Sequence, residues 1–339
     1  MKISIPFIKL PFFEKKERKE EKEPIEFSPQ RDIISSDINV IGILSGKGGC
    51  GKSIISTNII VLLSALLDKN QGVMGVDLDI INGTLTSLLL SLTPDILRED
   101  DSVSSIDYMV EEPTEFKAYK LEFPPNKVLS IQVAKRKDLG VAVKNIYILP
   151  AKKATISYEV KLSRLTRLTN EEVRNSLHTL YYNIVSFSKR NNIRYVILDF
   201  PPLRADTRNV YEGVFGILDL LPNFILVSSL DYAAVHGLVS LISRKYSFVK
   251  PRTLGFIINM YKSGYEEMAE RIKNYIENIY GEGKVYFIRD DPRWRVTIVP
   301  PITLGDPSEG AHYDLIKMCI KFGILSREIV KKKLNIDIH

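Results

Sequence analysis

The stretch Asn39-Val40-Ile41-Gly42-Ile43-Leu44-Ser45-Gly46-Lys47-Gly48-Gly49-Cys50-Gly51-Lys52-Ser53 decides how this chain is read. Asn39 to Leu44 is a short, apolar, β-branched run that predicts a buried strand. Ile54 to Leu67, just beyond, is almost free of charge and predicts a buried helix. Between them stands Gly46-x-x-x-x-Gly51-Lys52-Ser53, a phosphate loop in the strand–loop–helix setting that gives the motif meaning. Gly46, Gly48, Gly49 and Gly51 open backbone conformations that a Cβ forbids. Their N–H groups can then converge on phosphate oxygens at the positive end of the helix. Lys52 is expected to reach the β- and γ-phosphates, and the Ser53 hydroxyl to ligate Mg²⁺. A glycine-rich loop of an ordinary α/β protein is the bland alternative. It leaves the Gly-Lys-Ser ending and the second lysine, Lys47, without a reason.

Lys47-Gly48-Gly49-Cys50-Gly51-Lys52-Ser53 resembles the deviant Walker A motif of the ParA/MinD family of ATPases. The resemblance implies ATP and Mg²⁺ bound between two copies of the protein. It also implies that Lys47 crosses the dimer interface to the partner's phosphates, where a second positive charge stabilises the transition state as an arginine finger does. Val73-Met74-Gly75-Val76-Asp77-Leu78-Asp79 resembles the family's next strand. Asp79 is then implied to orient or deprotonate the attacking water, and Asp77 to lie nearer the metal. Tyr195-Val196-Ile197-Leu198-Asp199-Phe200-Pro201-Pro202 is an apolar strand ending in a carboxylate, a Walker B segment followed by switch II. Asp199 is implied to hold Mg²⁺ through a water, and the two prolines stop the strand. Leu254-Gly255-Phe256-Ile257-Ile258-Asn259 resembles the strand whose terminal asparagine reads the adenine edge, where an amide offers both a donor and an acceptor. By analogy of position, the segment Phe287 to Pro292 is the last strand and its loop, and Arg293 then lies near the adenine. The implied catalytic set is Lys47, Lys52 and Asp79. The nucleotide set is Gly46 through Ile54 with Asn259 and Arg293, and the metal set is Ser53, Asp77 and Asp199.

These matches span roughly residues 38 to 320. Ile54 stands where the family has a second hydroxyl, and Phe200 where it has a small residue. Both departures point to slow hydrolysis, so nucleotide binding is the firmer expectation. Strands alternating with helices predict an α/β fold: a mostly parallel, doubly wound P-loop sheet with helices on both faces, in one large domain with an insertion. The expected boundaries are an N-terminal extension over 1–36, an ATPase domain over 37–325 with an insertion near 93–145, and a tail over 326–339. Thr169 is expected to cap a helix running to about Lys189, ahead of the Walker B strand.

The chain has 339 residues, 45% of them hydrophobic, enough for a full core. Its two cysteines, Cys50 and Cys319, lie far apart, which argues for a reducing compartment and against a disulfide framework. Paired-cysteine zinc or iron–sulfur centres are disfavoured on the same ground. Cys50 is expected to be an inert loop residue; a redox-sensitive thiol is the alternative, because a helix N-terminus lowers thiol pKa. No stretch is long and apolar enough to span a bilayer, and no signal peptide is convincing, so a cytoplasmic protein is expected. Met1 to Phe13 is apolar and is followed by an almost wholly charged run over 14–24, read as a tail or a weak partner or membrane anchor.

The net charge of +6 suggests a polyanionic partner. The candidate clusters are Arg244-Lys245 with Lys250 and Arg252; Arg289, Arg293 and Arg295; and Lys331-Lys332-Lys333. The resemblance therefore implies an ATPase, slow without a partner, that dimerises on ATP and cycles on and off non-specific DNA or a membrane surface. Such a protein would be nucleoid-associated or peripheral to the membrane, would partition or position a cargo, and would be stimulated by an activating protein. The alternative is a nucleotide-dependent regulatory or scaffold protein with negligible turnover.

Overall fold

Strand β1 (Asn39–Ser45) is buried from Val40 onward, as its apolar run requires. It lies parallel between β7 (Ile193–Asp199) and β8 (Asn223–Ser229). The computed structural model describes residues 38–90, 103–111, 115–122, 129–151, 157–203, 209–295 and 300–338. The expected N-terminal extension, with its apolar and charged runs, lies outside them. Also outside are the acidic run Glu99 to Asp101 and the prolines at 124 and 125.

The remaining strands are β2 (Gly72–Asp77), β3 (Tyr119–Lys120), β4 (Ser130–Val133), β5 (Arg136–Ala142), β6 (Ile146–Leu149), β9 (Thr253–Tyr261) and β10 (Val285–Arg289). Among the described residues the main sheet has 8 strands in the order β10-β9-β8-β1-β7-β2-β6-β3. All pairs are parallel except the edge, where β3 runs antiparallel to β6. Parallel strands covered on both faces carry continuous rather than alternating apolar sequence, which explains runs such as VILD and FILVS.

One face is covered by α1 (Lys52–Leu66), α2 (Thr84–Leu90), α9 (Gly310–Lys321) and α10 (Arg327–Leu334), with the β4–β5 hairpin beside them. The other carries α3 (Ser105–Val110), α4 (Ser157–Leu165), α5 (Asn170–Arg190), α6 (Asn209–Val214), α7 (Tyr232–Lys245) and α8 (Glu266–Tyr280). α5 opens on the expected cap: Thr169 accepts from the Glu172 N–H while the Glu172 carboxylate accepts from the Thr169 N–H, a reciprocal capping box. α1 is buried nearly all round, polar residues included. Ser56, Thr57 and Asn58 each bond the carbonyl one turn back, so no donor is stranded inside. Among the described residues no helix is long and apolar enough to cross a membrane.

Within the stretch expected as an insertion, α3 packs on the α5 side of the sheet and β3 extends its edge. The terminal stretch, described over 326–338, packs on the fold. α10 buries Val330 and Leu334, and Ile336 follows them into the core. Its apolar face is spent on packing, with only Ile329 left outward. Lys333 Nζ donates to the carbonyls of Leu66 and Leu67, both at 2.7 Å, and so caps the last turn of α1.

Candidate nucleotide site

The phosphate loop joins the carboxyl end of β1 to the first turn of α1. Gly49 and Gly51 both take left-handed φ, 80° and 83°, which an L side chain adopts only under strain. At Gly51 a Cβ would also fall 2.2 Å from Asn259 Nδ2. At Gly49 it would meet nothing within 4 Å, so the loop opens outward there as a cradle. Cys50 turns inward, its Sγ facing the Val227 carbonyl. Burial pushes the thiol up from its ordinary value.

The site converges on Asp199, at the end of β7 and wholly buried. Its Oδ2 accepts from Ser53 Oγ at 2.6 Å, its Oδ1 accepts from Ser56 Oγ at 2.7 Å, and Lys52 Nζ sits 2.8 Å from Oδ1. Lys52 is itself only 5% exposed, so this ion pair is desolvated and strong in both directions: each charge needs a partner. Ser56 is a member that the sequence motifs do not name. It lies one helical turn after Lys52, on the same face of α1, and that spacing is the signal that could have found it.

Asp77 and Asp199 end adjacent strands in register. Burial first, and the neighbouring Asp199 charge second, push the Asp77 carboxyl up to about 7. Asp77 was expected nearer the metal, but both of its oxygens are occupied by protein donors. Oδ1 takes the Asp79 N–H, and Oδ2 takes the Thr86 N–H and hydroxyl at 2.9 and 2.8 Å. In this arrangement it braces α2 against β2. Asp79 is 4% exposed, held by Asn82 and by the Tyr211 hydroxyl.

Asn259, at the end of β9, donates Nδ2 to the Cys50 carbonyl at 3.0 Å, so it braces the phosphate loop itself. The next residue, Met260, has φ 59°, a conformation costly for a side chain of its size. Ile54, Asn259, Met260, Arg289, Asp290, Asp291, Trp294 and Arg295 line a small cleft beside the loop. Arg293 is not among them. Its guanidinium forms a two-pronged pair with Asp291, at 2.9 and 2.6 Å, and faces Gly305. The strong carboxylate partner holds the side chain toward Asp291 rather than into this cleft.

Lys47 departs from the rest of the loop. Its side chain is 64% exposed, and its nearest charge is Asp231, 3.7 Å away at the N-cap of α7. A pair so exposed is weak and leaves the ammonium free to move.

Part of the charge of the expected basic clusters is paired within the fold. Lys245 pairs with Glu212, Arg289 with Asp314, Arg295 with Asp290 and Lys331 with Asp337. Arg252 bonds the carbonyls of Asp219 and Leu221. Phe200 is fully buried and stacks on Phe215, centroids 6.4 Å apart, so the position expected to be small in switch II is a core residue here.

A parallel sheet with this loop between a central strand and a buried helix defines a P-loop nucleotide-binding protein. A family model described as the CobQ/CobB/MinD/ParA nucleotide binding domain matches residues 41–295, and the chain belongs to that family. MinD of Pyrococcus furiosus superposes with a TM-score of 0.52 at 19% identity, over 84% of this chain and 98% of that one. The McdA–ATP complex of Cyanothece gives 0.52 at 14% identity, over 86% and 98%. The pNOB8 ParA bound to nonspecific DNA gives 0.51 at 16%, over 88% and 100%. At these identities the likeness is one of fold. No curated protein sequence matches the chain.

Proposed function

We propose that this protein is an ATP-dependent dimerisation switch, binding ATP with Mg²⁺ at the phosphate loop and hydrolysing it across a face-to-face dimer. The observation that carries this reading is the division of labour between two lysines of one loop. Lys52 is buried against Asp199, while Lys47 stands in solvent beside the exposed Asp231, where a second molecule or a ligand can reach it. Lys52 would move from Asp199 to the phosphates. Ser53 and Asp199, already 2.6 Å apart, are the groups that would hold Mg²⁺, which neutralises phosphate charge. Asp79 would position the attacking water. The dimer would cycle on and off DNA or a membrane surface under an activating protein, to partition or position a cargo.

The test combines gel filtration under ATP–Mg²⁺ and ADP with co-sedimentation on duplex DNA and on anionic liposomes. The wild-type chain should dimerise with ATP only, and Lys47→Ala should stay monomeric with an unchanged melting temperature. An ATP-dependent dimer of Lys47→Ala would count against the mechanism. A nucleotide-dependent scaffold with negligible turnover is the second reading. The enclosure of Asp79 by Asn82 and Tyr211 favours it. Turnover no faster than that of Asp79→Ala, with DNA and lipid present, would establish it.

A further inference from the structure

Asp79 is the second residue after β2, and residues 79 to 81 are each held by a hydrogen bond. Asp79 Oδ1 accepts from the Asn82 N–H at 3.2 Å, from Asn82 Nδ2 at 3.1 Å and from the Tyr211 hydroxyl at 3.2 Å. Oδ2 accepts from Asn82 Nδ2 at 2.9 Å. The Ile81 N–H reaches the same Tyr211 hydroxyl, and the Tyr158 hydroxyl donates to the Ile80 carbonyl at 2.8 Å. Two tyrosines therefore hold residues 79 to 81, one from α4 and one from α6, 78 and 132 residues away in sequence from the groups they bond. Burial and the Asp79 charge both push the Tyr211 hydroxyl up, so it remains a donor at any physiological pH.

A carboxylate whose two oxygens accept from Asn82 and Tyr211 and which is 4% exposed has little room for an attacking water beside it. We infer that Tyr211, assisted by Tyr158, is a positioning residue that holds Asp79 in a resting arrangement, and that hydrolysis requires the tyrosine to let go. This rests on the reading of Asp79 as the group that positions the attacking water. α6 is the first described element after Pro202 and Leu203, which follow the Walker B strand. The contact restrains turnover without touching nucleotide.

The test uses the full-length chain with Mg²⁺-ATP and compares Tyr211→Phe, Tyr158→Phe, Asp79→Ala and the double variant Tyr211→Phe/Asp79→Ala. Each phenylalanine keeps the ring and removes only the hydroxyl. Losing a hydrogen bond to a charged group should raise kcat about three- to tenfold in Tyr211→Phe, with the KM for ATP within about twofold of wild type. Tyr158→Phe should give a smaller gain in the same direction. The double variant should fall to the level of Asp79→Ala, because the gain passes through that carboxylate. An unchanged or lower kcat in both phenylalanine variants, at wild-type melting temperature, would overturn the proposal while leaving the role of Asp79 standing. An Asp79→Ala protein as fast as wild type would instead remove the role of Asp79 and the restraint with it. If Tyr211→Phe does not fold, Tyr158→Phe decides alone.

Discussion

Asp199 collects two hydroxyls and an ammonium because it is wholly buried at the end of a central strand, where every donor within reach must stand in for water. Its neighbour Asp77 has the opposite problem: a carboxylate with good hydrogen bonds but no cation of its own. The folded Asp77 group titrates near 7, well above the ordinary carboxylate value of 3.8. The folded state therefore binds the extra proton over that interval, and ∂ΔG/∂pH is negative there. The contribution of Asp77 is fully present below about pH 4 and is lost as pH rises to about 7. In chemical denaturation without nucleotide, wild-type protein should lose at least about 1 kcal/mol relative to Asp77→Asn between pH 5 and pH 8. A pH-independent difference between the two would show that Asp77 is not the titrating group. Asn259 gives a second residue-scale prediction. Asn259→Ala removes the amide that fixes the Cys50 carbonyl, a buried bond worth about 1–2 kcal/mol. ATP affinity measured by calorimetry should fall about five- to thirtyfold by the same figure. An unaltered affinity would mean the loop holds its shape without this brace.

At the scale of elements, α1 matters most, because its first turn is the site and its last turn is remote from it. Its sequence has no cation near the C-terminus, and the last carbonyls are satisfied from elsewhere in the chain. Lys333 supplies the charge from α10, and its desolvation lowers its pKa from the ordinary lysine value. Lys333→Met keeps the stem and removes the ammonium. It should cost about 1–2 kcal/mol in denaturant unfolding, the range for a charged hydrogen bond at a helix end. A cost near zero would mean that water replaces the cap. α5 shows the contrasting case, a helix whose start is encoded locally. Thr169 and Glu172 form the capping box within four residues of sequence, so the beginning of this helix is legible in one dimension.

For the whole molecule, two cores on either side of one sheet decide what the terminal segment can do. Val330, Leu334 and Ile336 belong to the core on the α1 face. A chain ending at Ser326 should lose at least about 3 kcal/mol and melt several degrees earlier, since each buried aliphatic side chain is worth about 1.5–3 kcal/mol. A truncated protein as stable as the full chain would restore the terminal segment as a free surface element. The net charge of +6 has a similar lesson. Much of the positive charge in the basic clusters is matched by nearby carboxylates once the chain folds, so net charge is a poor guide to where a polyanion would sit.

What the sequence determined by itself was the local and the periodic: the phosphate loop between an apolar strand and an uncharged helix, the order of the βα units, the family, and the start of α5. These depend on neighbours in the chain, whose spacing is visible along the sequence. Tertiary structure decided which way side chains point once partners from distant segments arrive. Arg293 turns to Asp291, Asp77 is consumed by Thr86, Ser56 joins Asp199, and Lys333 reaches the far end of α1. Tyr211 meets Asp79 across 132 residues of chain. A buried polar group goes to whichever partner satisfies it without water, and in this fold those partners are mostly far away in sequence.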